Sequence, residues 1–79
     1  MATPEIMAAR RAAIAPQVKT LLDKYNLSVP LDGGGWSVDW FGVMDSMEQM
    51  AGLYDCTRLL SLAMFYLANG GDLDTIGAP

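Results

Sequence analysis

Apolar residues recur at helical spacing in three stretches, separated by one glycine-rich interval. Thr3-Pro4-Glu5 predicts the start of a first helix. The Thr hydroxyl can accept from an orphan backbone N–H, Pro suits the first helical position, and Glu complements the positive end of the dipole. Pro16 lacks the N–H of a helix interior and crowds the carbonyl four residues back, so this segment is expected to kink near residues 12–15 or to divide in two. Around and beyond it Ile14, Val18, Leu21, Leu22 and Tyr25 form one stripe, with Gln17, Lys19, Thr20, Asp23 and Lys24 facing away.

Residues 26–37 contain Pro30 and Gly33-Gly34-Gly35 and read as the one long loop. Ser37 is the expected cap of the next helix, with Asp39 in its first turn, and Trp40, Val43, Met44, Met47, Met50 and Tyr54 follow at helical spacing. Asp45 and Glu48 make a second cap-like pair, which leaves room for a separate turn over 38–44. The last helix is expected over 55–69, closed by Gly70-Gly71, with residues 72–79 as a short tail. These elements predict an all-α fold, a small irregular bundle of three to four helices forming a single domain over residues 1–79.

The last helix changes the picture most. Leu59, Leu60, Leu62, Ala63, Met64, Phe65, Tyr66 and Leu67 leave almost no polar side, the pattern of a helix buried all round. A domain of this size hides only about 60 to 65% of its unfolded-chain surface, so two or three short neighbours cannot wrap it. Part of that surface is therefore expected against another chain. Burying two further Leu or Phe side chains is worth about 3 to 6 kcal/mol.

Composition narrows the chemistry. The hydrophobic fraction is 52% of 79 residues, including ten Leu, six Met and seven aromatics, enough apolar surface to drive folding. There is no histidine and a single cysteine, Cys56, which removes His-based acid–base catalysis, Cys–His nucleophiles, Cys/His zinc sites and intrachain disulfides. Asp39, Asp45 and Glu48 are better explained by helix starts than by catalysis, so an enzyme is not expected, nor a metal. The net charge of −4 argues against nucleic acid. It divides unevenly: residues 1–29 carry four cations and two carboxylates, or +2, and the rest one cation and seven carboxylates, or −6. The glycine triplet lacks a following Lys-Ser or Lys-Thr and has Asp32 and Asp39 nearby, which disfavours a phosphate cradle.

The longest apolar run is about half the roughly 20 residues that a membrane span requires, so no span is expected. The opening residues lack a basic region followed by an apolar run, and a cytoplasmic location is expected.

Gly42-Val43-Met44-Asp45-Ser46-Met47 resembles the attachment motif of acyl, peptidyl and D-alanyl carrier proteins, in which a serine after aspartate starts a helix and receives 4′-phosphopantetheine. The resemblance covers about residues 14–50. It implies that Ser46 carries the arm, that the helix dipole favours its phosphate, and that Met47 and Met50 are gripped by partner enzymes. The following part departs from the family, with an apolar helix and a tail in place of its acidic helix and further short helices.

The residues themselves favour a non-catalytic interaction protein without a cofactor: an accessory subunit, adaptor or small inhibitor that docks on a protein partner, or a homo-oligomer. Its expected anchors are Trp36, Trp40, Met44, Met47, Leu59, Leu62, Phe65 and Tyr66. Core packing explains the Met stripe and the two Trp residues equally simply.

Overall fold

The structure is a computed structural model that describes residues 2–79. Helix α1 spans Pro4–Lys24. The Thr3 hydroxyl accepts from the Ile6 N–H at 3.2 Å, and Pro4 begins the helix as the sequence predicts. Pro16 does not divide it. Both Pro16 and Ala12, whose carbonyl loses its usual partner, are exposed, so that carbonyl is not sealed in the core. The Pro16 carbonyl in turn accepts from the Thr20 hydroxyl at 3.0 Å. Ile14, Val18, Leu21 and Leu22 are buried, and Tyr25 packs against them.

Residues 26–37 are not the irregular loop expected, and the fold is mostly helical rather than all-α. Strand β1 (Ser28–Pro30) pairs antiparallel with β2 (Trp36–Val38), in the register Ser28↔Val38, Val29↔Ser37, Pro30↔Trp36. Leu27 and Val38, at the base of this ribbon, are both buried and hold it on the core. Gly35 has φ of +79°, and a Cβ there would lie 2.0 Å from the Gly77 carbonyl oxygen. Only glycine fits that approach. The last residues are correspondingly not a loose tail: the Trp36 N–H donates to Gly77 O at 3.1 Å, and Ile76 is buried.

Helix α2 spans Trp40–Ala51 and is capped by Asp39, whose carboxylate accepts from the Gly42 N–H at 2.9 Å. Ser37, the expected cap, lies in β2 instead, and the helix runs through Asp45 without restarting. Helix α3 spans Asp55–Ala68 and closes at Asn69 and Gly70, the latter left-handed at φ +76° as expected. Arg11 donates to the Asn69 carbonyl and Arg10 to its side-chain oxygen, tying the end of α3 to α1.

Both α1 and α2 pack on α3, while β1 packs on α1. The Cα atoms extend 37 × 30 × 16 Å. Covering a helix from above and below takes two interaxial steps plus the helix's own Cα diameter, roughly 23 Å. The short axis is too thin for that, and the buried residues of α3, Asp55, Cys56, Leu59, Ala63 and Tyr66, lie along one side of it.

Candidate docking surface

Position along α3 decides which residues face inward. Asp55, Cys56, Leu59, Ala63 and Tyr66 are buried, following the helical period, and Leu59 has no exposed surface at all. The outer surface carries Leu60, Met64 and Leu67 at i, i+4 and i+7, while Phe65, two turns on from Arg58, is exposed on the flank nearer α1. Met64 is 69% exposed and Phe65 64%. Helix α2 repeats the division: Val43 and Met50 are buried, whereas Phe41, Met44 and Met47 are exposed, Phe41 by 83%. The Met stripe is thus divided between core and surface.

Of the anchors expected from sequence, Met44, Met47 and Phe65 lie on this outer surface. Trp36, Trp40 and Leu62 are half-buried and pack against the core. Leu59 and Tyr66 are core residues and are corrected as such: their positions in the helical period place them under α3, out of a partner's reach. Sequence reasoning missed Phe41, Leu60, Met64 and Leu67. For the last three the signal was present in their i, i+4, i+7 spacing, which a helix apolar on every side obscures.

The corner between the two helices adds Leu53 and Tyr54, both exposed. Tyr54 precedes α3 in the left-handed region at φ +61° and makes no side-chain capping bond. A bulky residue in that conformation is strained by about 1 to 2 kcal/mol relative to glycine. The fold draws nothing visible from this side chain, and strain held in this way clusters at functional positions.

Charge on the surface is one-sided. Asp45 and Glu48 are exposed on α2, and neither forms an ion pair among the described residues. Glu48 lies one helical turn from Met44, within the apolar arc. On the far side of α3, Lys24 lies 2.7 Å from Asp55, and the Tyr25 hydroxyl donates to the same carboxylate oxygen. These hydrogen bonds hold the Asp55 carboxyl below the usual carboxylate range, Lys24 first and Tyr25 second. A cleft of about 280 Å³ beside them is lined by Gln17, Thr20, Leu21, Lys24, Asp55 and Arg58. Its central ions are already paired with each other.

Ser46 is half-buried in the middle of α2, past the first turn. The free N–H groups that would favour a phosphate lie at the start of the helix, so the helix-start setting implied by the carrier resemblance is not found around it. No helix among the described residues is long and apolar enough to cross a membrane. Comparison with protein-family models, curated proteins and solved structures finds no match.

Proposed function

We propose that this chain is a non-catalytic docking module, an accessory subunit, adaptor or small inhibitor, which seats the outer face of α2 and α3 on a larger protein. The observation that carries this reading is the uncovered ridge of Leu60, Met64 and Leu67 on the central helix, with Phe65 exposed on its other flank. Fully burying a side chain of this kind is worth about 1.5 to 3 kcal/mol, and these side chains stand exposed in the chain by itself. The exposed methionines suit such a surface, since flexible thioethers adapt to a partner's relief. The half-buried, mid-helix place of Ser46 favours this reading over attachment of a 4′-phosphopantetheine arm.

The test compares the wild type with L60S/M64S/F65S in binding of an apolar dye and in affinity capture from the native host. The docking reading expects dye binding, and a stoichiometric protein partner that is retained by the wild type and lost by the variant. A wild type that binds no dye and retains the same proteins as the variant contradicts it.

A further inference from the structure

We infer that the cleft between α1 and α3 binds a small organic carboxylate, its oxygens held by Arg58 and Lys24 and its short apolar body laid on Leu21. This site is separate from the docking face and does not rest on it. The two helices run antiparallel, since Arg10 and Arg11 meet Asn69 at one end and Lys24 meets Asp55 at the other. Gln17, Thr20, Leu21 and Lys24, at i, i+3, i+4 and i+7 of α1, make one wall of the cleft, and Asp55 and Arg58 make the other. Arg58, one turn into α3 from Asp55, therefore stands level with Leu21, one turn back from Lys24.

Donors in this cleft outnumber acceptors. The Asp55 carboxylate is taken by Lys24 and by the Tyr25 hydroxyl. Arg58 reaches Asp55 only through its field, and its exposed guanidinium forms no ion pair among the described residues. Lys24 keeps N–H groups to spare after its bond to Asp55, as does Gln17 after its bond to the Ala13 carbonyl. Asp23, next to Lys24 in the chain, is held by Lys19 at 2.6 Å. Two cations against one carboxylate leave the lining with positive charge in excess, although the whole protein carries −4.

The form of the cleft selects the kind of anion. A guanidinium fork matches a planar carboxylate through two parallel hydrogen bonds. Leu21 and the aliphatic stems of Lys24 and Arg58 offer an apolar floor, which inorganic phosphate would leave uncovered. The volume of about 280 Å³ lies just under the roughly 300 Å³ at which sites for drug-sized molecules begin, so the acid is a short one.

Titration of the isotope-labelled chain with butyrate at constant ionic strength, followed by two-dimensional NMR, tests this. Butyrate is expected to give saturable shifts at Thr20, Leu21, Lys24 and Arg58, with a Kd of about 1 to 10 mM. Arg58→Gln, a change at an exposed side chain, should weaken binding at least about tenfold. Arg58→Lys, which keeps the charge and loses the fork, should fall between the two. Acetate and inorganic phosphate should each bind more weakly than butyrate, and butylammonium should not bind. Undiminished binding in Arg58→Gln, shifts that stay linear up to about 100 mM, or equal shifts from butylammonium overturn the site. Phosphate bound as tightly as butyrate overturns the organic carboxylate as its ligand.

Discussion

The Lys24 ammonium lies 2.7 Å from the carboxylate of Asp55, a contact that joins the end of α1 to the start of α3, and Asp55 is buried. The Tyr25 hydroxyl donates to the same oxygen. Three titrations are coupled to folding in consequence. The Asp55 carboxyl is held down by hydrogen bonds from Lys24 and Tyr25, the Lys24 ammonium is raised by its hydrogen bond to Asp55, and the Tyr25 hydroxyl is raised by the same carboxylate.

A carboxylate with a depressed folded-state pKa stabilises above its unfolded value, and that contribution disappears as pH falls through the folded value. The raised ammonium and phenol act in the opposite sense: their contribution is complete below the unfolded values and is lost as pH climbs through the folded ones. Thermal melts followed by circular dichroism should therefore show Tm declining below about pH 4 and again above about pH 10. Asp55→Asn should lower Tm at neutral pH and flatten part of the acid decline, leaving the part due to Asp23, whose carboxyl Lys19 also depresses. An acid limb of unchanged steepness in the variant would contradict the assignment.

Leu59 and Leu60 are adjacent in sequence and opposite in environment, the first fully buried and the second exposed on the ridge. Leu59→Ala should cost about 2 to 5 kcal/mol of stability in urea unfolding, because it removes core contacts and leaves a cavity. Leu60→Ala should change stability by less than about 0.5 kcal/mol. Similar losses at both positions would show that α3 is packed on both sides.

The contrast between these two leucines also marks how far the sequence can be read. The first helix was legible because its stripe of Ile14, Val18, Leu21 and Leu22 is flanked by polar residues and its Thr3-Pro4-Glu5 start has one physical meaning. In α3 only Thr57, Arg58 and Ser61 mark the outer side, and none follows Ser61 before Asn69, so hydropathy identified a largely apolar helix without resolving which of Leu59, Leu60, Phe65 and Tyr66 face out. The hairpin was hidden for a different reason. Strands of three residues around Gly33–Gly35 carry too few side chains for a period-two signal, and their closure depends on Gly77, distant in sequence. Ser37 was expected as the cap with Asp39 in the first turn, but the pairing of Ser37 with Val29 draws it into β2 and leaves the cap to Asp39.

Tyr54 provides a separate check on whether the α2–α3 corner serves folding or a partner. Replacement by Gly should relieve its left-handed strain and raise stability by about 1 kcal/mol, measured by urea unfolding, because its side chain caps nothing. A loss of stability on substitution would show that the exposed ring contributes to folding after all.

Ser46 separates docking from the carrier reading by mass alone. Co-expression with a phosphopantetheinyl transferase should leave the intact mass of the wild type unchanged, as in Ser46→Ala, since the serine sits mid-helix and half-buried. A gain of the prosthetic arm that depends on Ser46 would establish the carrier reading instead.

The account depends most on the outer face of α3 being covered by another protein, and photo-cross-linking in the native host reads that directly. A photoreactive phenylalanine analogue at Met64, on the ridge, should yield one discrete adduct of higher mass, while the same analogue at Gln17, exposed on α1, should yield none. No adduct from Met64, or the same set of adducts from both positions, would contradict it.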